Sequence, residues 1–141
     1  MALLLISAAV VSCSTVPFTL DATGPFVYSA PVDPPFERVA VTVTIVSKST
    51  DDLTVSPADF VARDNRHNVY PANPTAAVAD AHAVRLAHGI QNISPLSAVT
   101  LRQNDVVSGF VVFDVPFAVR PVELIWRQTD SDTVIPLTAD H

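Results

Sequence analysis

The stretch Arg38-Val39-Ala40-Val41-Thr42-Val43-Thr44-Ile45-Val46 decides the fold of this chain. β-Branched residues dominate it, and their restricted side-chain torsions favour extended backbone. The stretch alternates with a period of two, so that Val39, Val41, Val43 and Ile45 share one face while Ala40, Thr42 and Thr44 share the other. The pattern predicts a central β-strand with one face in a hydrophobic core.

Further short strands are predicted on both sides of this one, separated by residues typical of turns. They cover residues 16–20, 26–28, 58–63, 106–115, 122–126 and, as a last edge strand, 133–137. Such strands with at most one helix fit two packed sheets better than a parallel sheet flanked by helices. The predicted fold class is therefore all-β, an antiparallel immunoglobulin-like β-sandwich with one short helix or long loop inserted between strands.

The length and composition indicate one compact domain. The chain has 141 residues, of which 49% are hydrophobic, enough for a single core. We divide it into a signal-like or lipobox-like segment over residues 1–13, then N-terminal strands and a proline-rich linker over 14–37. The sandwich core covers 38–141 and contains an insertion over 71–99.

The insertion contains the one segment whose sequence is typical of a helix. Asn73 suits an N-cap, Pro74 suits the first helical position, and Gly89 stands where a helix would end. Two interpretations remain open. The insertion is either a contact surface or a lid over apolar sheet surface, because the apolar side chains within it need burial; these are Val78, Val84, Leu86 and Ile90.

The first residues resemble an export signal. Residues 1–12 are an uncharged apolar run, too short to cross a bilayer as a helix. The run leads into Val10-Val11-Ser12-Cys13, which resembles a bacterial lipobox, and Cys13 is the only cysteine. We expect lipidation of Cys13 or, alternatively, secretion with cleavage shortly after it; a third interpretation is that Cys13 is a buried apolar residue.

The charge of the chain restricts its partners. The formal net charge is −6 and the sequence pI is about 4.8. Nucleic-acid binding needs clustered Lys and Arg, so no nucleic-acid partner is expected. Membrane association is expected only through a lipid on Cys13.

No motif in the sequence indicates catalysis. The chain has no nucleophile elbow and no glycine-rich phosphate loop, and we expect no catalytic residue, no cofactor and no metal site. The alternative is a periplasmic metal-binding protein or metal-dependent enzyme that uses some of the four histidines. On one helix His82 and His88 would point in different directions, and Asp80 is expected to lie on a solvated face.

Several stretches together resemble a family of bacterial immunoglobulin-like sandwich domains. These stretches are residues 39–43, 55–58 with 60–64, 109–115 and 123–126. The family is known from secreted mycobacterial and actinobacterial immunogenic proteins and from lipoproteins of unknown function. The resemblance implies a small exported sandwich without a known active site. Residues 72–99 depart from it, because they are longer than the family pattern.

The function expected from these observations is that of an exported cell-envelope or secreted module that binds a protein or has a structural role. Its partner would be an unknown envelope or extracellular protein. The candidate contact surface lies in and beside the insertion and comprises Tyr70, His82, Arg85, His88 and Asn92. An exposed aromatic patch, if present, would draw on Tyr70, Phe117 or Trp126, although Trp126, Phe113 and Phe60 are first expected in the core.

Overall fold

A computed structural model describes residues 17–88, 93–128 and 131–137. Cys13, Gly89, Ile90 and Asn92 lie outside the described residues, and so do the predictions made for them. The strands are β1 (Phe18–Tyr28), β2 (Phe36–Ser47), β3 (Leu53–Val55), β4 (Phe60–Arg63), β5 (Val69–Pro71), β6 (Val99–Leu101), β7 (Val106–Pro116), β8 (Glu123–Arg127) and β9 (Asp132–Pro136). A 3₁₀ turn covers Pro57–Asp59, and two α-helices cover α1 (Pro74–Ala79) and α2 (Ala81–His88).

The strands form antiparallel sheets that pack as a sandwich. One sheet has the order β1-β2-β7, a second has the order β9-β8-β4-β5, and β3 pairs with β6. Side chains from β2, β4, β7 and β8 meet in one apolar cluster between the sheets. The predicted all-β sandwich is confirmed.

Strand β2 is central to this arrangement, as its sequence predicted. Val39, Val41, Val43 and Ile45 are fully buried between the sheets. Trp126 of β8 is also fully buried, with its ring stacked on Phe60 and in edge contact with Phe18. Trp126 is therefore a core residue, and the alternative that placed it in an exposed aromatic patch is wrong.

Strand β1 differs from the two short strands predicted for its residues. It is one continuous strand that pairs along β2, with a register shift between Thr23 and Phe26. Gly24 lies at this shift with φ of 136°, a conformation that side chains rarely adopt. The turn-like composition therefore marks an irregularity inside a strand, and residues 18–28 belong to the sandwich sheet.

The helical segment also differs from the prediction. Asn73 caps α1 and Pro74 begins it, as predicted, but the single helix expected over 73–89 is divided at Asp80. Val84 is buried, whereas Val78 and Leu86 are each 70% exposed, so burial does not explain all the apolar residues of the insertion.

The two helices cover one half of the outer face of sheet β1-β2-β7. Ala76, Ala77 and Val84 of the helices pack in one buried cluster with sheet residues; these are Tyr28, Ala40, Phe110 and Val112. On the other half, Thr44 and Ser108 hydrogen bond to each other at 2.9 Å on an exposed surface. The described helices of the insertion thus lie over apolar sheet surface, with the buried side of both helices toward β1, β2 and β7.

Candidate functional site

The start of α1 is attached to strand β7 through Asn73. The Oδ1 atom of Asn73 accepts a hydrogen bond from the Ala76 amide at 3.0 Å, which caps the helix. Its Nδ2 atom donates to Asp114 Oδ2 at 2.9 Å, and its backbone amide donates to the Val112 carbonyl at 2.8 Å. Asn73 therefore caps the helix and also attaches it to the sheet.

The junction between α1 and α2 is attached to the sheet through Asp80. Its side chain is only 4% exposed, and Oδ2 accepts from the Tyr28 hydroxyl at 2.7 Å and from Arg38 Nη1 at 2.9 Å. The expectation that Asp80 lies on a solvated face is wrong. A charged carboxylate can be buried here because two donors from neighbouring strands satisfy it.

Arg38 links the helical junction to β7. Its Nε atom donates to Asp114 Oδ1 at 2.8 Å, while Nη1 binds Asp80. The hydrogen bond to Asp114 raises the pKa of Arg38 above its ordinary value. Burial acts in the opposite direction but has a smaller effect, and the hydrogen bond to Asp80 raises the pKa further. Burial, and then the hydrogen bond to Asp80, raise the pKa of Tyr28. At neutral pH the cluster therefore has a charged guanidinium and a neutral phenol. We call Tyr28, Arg38, Asn73, Asp80 and Asp114 the latch.

Of the residues predicted for the contact surface, His82 and Arg85 both lie on α2. The side chain of His82 is exposed. Arg85, three residues later and so on a neighbouring part of the helix surface, donates a hydrogen bond from Nε to the Ile93 carbonyl at 2.7 Å. His88 ends α2, and its side chain is outside the described set. The outer side of the helical unit also includes the exposed Val78 and Leu86.

Tyr70 is placed differently from the rest of that predicted surface. It lies on β5 in the second sheet, is half-buried, and donates its hydroxyl to Asp64 Oδ2 at 2.7 Å. Burial, together with that hydrogen bond, raises the pKa of Tyr70.

Asp64 organises the turn between β4 and β5. Its carboxylate also accepts from the backbone amides of Arg66 and Asn68, at 2.8 and 2.9 Å, and from Asn68 Nδ2. Desolvation acts to raise the pKa of Asp64, but the hydrogen bonds together outweigh it and lower the pKa to about 2. Asp64 and Tyr70 therefore bond to each other and to groups of the same turn, and these bonds serve to hold the turn in shape.

A second exposed feature lies where β7 ends. Phe117 is 73% exposed, and its amide donates to the Pro35 carbonyl at 2.7 Å, beside the half-exposed Phe36. Ala118 has φ of 69°, and its amide donates to Glu37, which also binds Arg120. Of the three aromatic residues proposed for an exposed patch, Phe117 is the one that the structure exposes.

The described part of the chain contains no group of three or more His, Cys, Asp or Glu residues that could hold a metal ion. In residues 17–88, 93–128 and 131–137, no helix has the length and apolar character needed to span a bilayer. The polar cluster that does exist, the latch, was not found from sequence. A weak signal was available, because the period of two places Arg38 and Asp114 on the outer faces of their strands.

The fold and the site define a class: an antiparallel β-sandwich domain with a helical unit attached to the outer face of one sheet. No protein-family model matches the chain, and no curated protein gives a significant match. Its fold is nevertheless found among solved structures. The chain is similar to MPT63, a secreted protein of Mycobacterium tuberculosis, with a TM-score of 0.57 and 16% identity, over 84% of this chain and 82% of that one.

Two proteins of Bacillus subtilis have a similar fold. One is ycdA, described as a candidate lipoprotein, with a TM-score of 0.56 and 14% identity, over 84% of this chain and 36% of that one. The other is yjhA, with a TM-score of 0.51 and 14% identity, over 86% of this chain and 90% of that one. At these identities the similarity establishes a shared fold and nothing further.

Proposed function

We propose that this chain is an exported cell-envelope or secreted module that acts by binding another protein, with the outer side of the α1–α2 unit as its contact surface. The observation that carries the proposal is the orientation of this unit. Its buried side is built largely from small residues such as Ala76 and Ala77, while Val78 and Leu86 are each 70% exposed.

This orientation favours a contact role because it is costly to display large apolar side chains without a partner. Leu86 is the larger side chain and faces solvent, although it lies two residues from the buried Val84. Exposed apolar side chains on an element held in place by the fold are a feature of interaction surfaces. The latch positions this surface, because it ties both the start of α1 and the helical junction to the sheet.

The location is proposed from two further observations. The apolar run that leads into Cys13 resembles an export signal followed by a lipobox. The solved structures with a similar fold include one secreted protein and one candidate lipoprotein. A lipid on Cys13 would then hold the module at the envelope, and cleavage near Cys13 would release it.

The proposed partner is an envelope or extracellular protein. The net charge of −6 disfavours a nucleic acid or an anionic membrane surface. The described residues that we assign to the contact surface are exposed side chains of α1 and α2. We propose that the module has no catalytic activity of its own.

Mass spectrometry of the native protein tests the export part of the proposal. We expect an N-terminus at or shortly after Cys13, with an added mass if Cys13 carries a lipid. A protein that still begins at Met1, without lipid and in the cytoplasm, would overturn it.

Site-specific photocrosslinking in intact cells tests the contact surface. A photoreactive residue at position 86 is expected to give a discrete crosslinked product, which Val78→Ser weakens. The matched control is position 106, because Val106 is 59% exposed but lies on the sheet away from the helices. Equal crosslinking from positions 86 and 106, or none from position 86, contradicts the proposed surface.

A further inference from the structure

The contacts beneath the two helices are made mainly by small side chains. On the helical side the buried residues are Ala76, Ala77 and Val84, with Ala81 and Ala83 partly buried beside them. Alanine contributes one carbon to each such contact, so little apolar area is buried per residue. The larger apolar residues of the unit, Val78 and Leu86, are turned away from the sheet.

Polar bonds hold the same unit at identified points. At the helical junction Asp80 accepts hydrogen bonds from Tyr28 and Arg38. At the start of α1, Asn73 donates a hydrogen bond to Asp114. A further bond joins Arg85 of α2 to the Ile93 carbonyl at 2.7 Å. Light packing combined with a few directional bonds is the arrangement expected of an element that can open without unfolding its neighbours.

The surface under the helices is continuous and apolar. Ala40 and Val112 are fully buried neighbours across β2 and β7, and Phe110 and Tyr28 extend the same strip. These residues face away from the core between the sheets, since Val41, adjacent to Ala40, belongs to the other cluster. The helices therefore provide most of the buried side chains that cover this strip, and Ala30 and Ile93 pack against its side.

We propose that the α1–α2 unit is a latched lid, which opens as a unit while the sandwich stays folded and thereby uncovers the apolar strip of Tyr28, Ala40, Phe110 and Val112. The charged contact between Asp80 and Arg38 controls the opening. This inference does not rest on the proposed function, because it concerns an equilibrium of the isolated domain.

Thiol labelling at two adjacent positions tests the lid directly. In a Cys13→Ala background, which removes the only native cysteine, Ala40→Cys places a thiol under the lid. Val41→Cys places one on the opposite face of the same strand, between the sheets. We expect the thiol at position 40 to react with a soluble disulfide reagent at least ~100-fold faster than the thiol at position 41, because only lid opening is needed.

The latch is tested by adding Asp80→Asn, which preserves the size of the side chain and removes its charge. Labelling at position 40 is expected to accelerate by about tenfold or more. Labelling at position 41 is expected to accelerate by no more than the same factor and to stay far slower than at position 40, because the bonds of Asp80 are broken both in the opened and in the unfolded state. Hydrogen exchange should agree, with faster exchange of the α1 and α2 amides in Asp80→Asn and with the central β2 amides still far better protected than the helical ones. If Asp80→Asn does not fold, Tyr28→Phe removes one bond from the same carboxylate and is expected to give a smaller acceleration at position 40.

Two results would overturn the inference. Equal labelling rates at positions 40 and 41 would mean that the strip is reached only by global unfolding. Labelling at position 40 that is insensitive to both latch variants would mean that Asp80 does not control the opening. Neither result bears on the crosslinking at position 86, so the two proposals fail separately.

Discussion

Arg38 of β2 and Asp80 at the helical junction are joined by a hydrogen bond of 2.9 Å between Nη1 and Oδ2, although they lie 42 residues apart in the sequence. The same guanidinium binds Asp114 of β7 through Nε at 2.8 Å. This use of two separate nitrogens makes the latch depend on the shape of arginine as well as on its charge.

Arg38→Lys is therefore expected to destabilise the domain although it conserves the charge. A single ammonium cannot reproduce both directed bonds, and we expect the free energy of unfolding to fall by about 1–3 kcal/mol. Urea denaturation followed by fluorescence of the buried Trp126 measures it. Arg127→Lys, at an exposed position at the end of β8, is the matched control. A stability of Arg38→Lys equal to that of the control would contradict the bidentate role.

Gly109→Ala is expected to destabilise the edge of β7. A Cβ atom at this position would lie 2.7 Å from Leu96 Cα and 2.8 Å from Leu96 N, both of which are backbone atoms that cannot rotate away. Overpacking of this kind costs about 1–3 kcal/mol. Thermal denaturation should show a clear loss relative to Val106→Ala, a change at a 59% exposed position on the same strand. An unchanged midpoint would mean that residues 94–96 move away without cost.

Val84→Ala is expected to lower the free energy of unfolding far more than Leu86→Ala does, although Leu86→Ala removes more atoms. Val84 is buried against the sheet, so its truncation should cost about 2 kcal/mol, whereas Leu86 is 70% exposed and its truncation should stay within about 0.5 kcal/mol. Chemical denaturation of both variants provides the comparison. A larger loss for Leu86→Ala would show that α2 is rotated about its axis relative to the described orientation.

The pKa of Asp64 predicts a pH dependence of stability. Hydrogen bonds lower this pKa to about 2 in the folded state, whereas the pKa of an Asp side chain in an unfolded chain is about 3.9. The contribution of ionised Asp64 to stability is therefore fully present above about pH 4 and is lost as the pH falls through about 2.

Asp64→Asn should accordingly be less stable than the wild type at pH 6 and should approach it as the pH falls from 4 to 2. Urea midpoints measured across this range test the prediction, with Asp51→Asn as the control for removal of an exposed carboxylate. A constant difference between Asp64→Asn and the wild type over the whole range would show that ionisation of Asp64 does not contribute.

The sandwich itself was predictable because the information for it is local. In β2 the period of two places Val39, Val41, Val43 and Ile45 on one face, and the structure buries all four between the sheets. The same holds for the edge strand near the C-terminus and for the start of α1, where Asn73 and Pro74 have the expected capping roles. Strand alternation and helix capping depend on neighbours within a few residues.

The sequence alone thus determined the fold class, the central strand and the start of the helical segment. The tertiary structure decided that the helical segment divides at Asp80, that Asp80 is buried, and that Leu86 faces outward. The reason is physical: the groups that make burial of the Asp80 charge favourable are Tyr28 and Arg38, which lie 52 and 42 residues away along the chain. A carboxylate in an alanine-rich helix indicates a solvated position unless such donors are brought to it, and only the packing of α1 and α2 on the sheet does so.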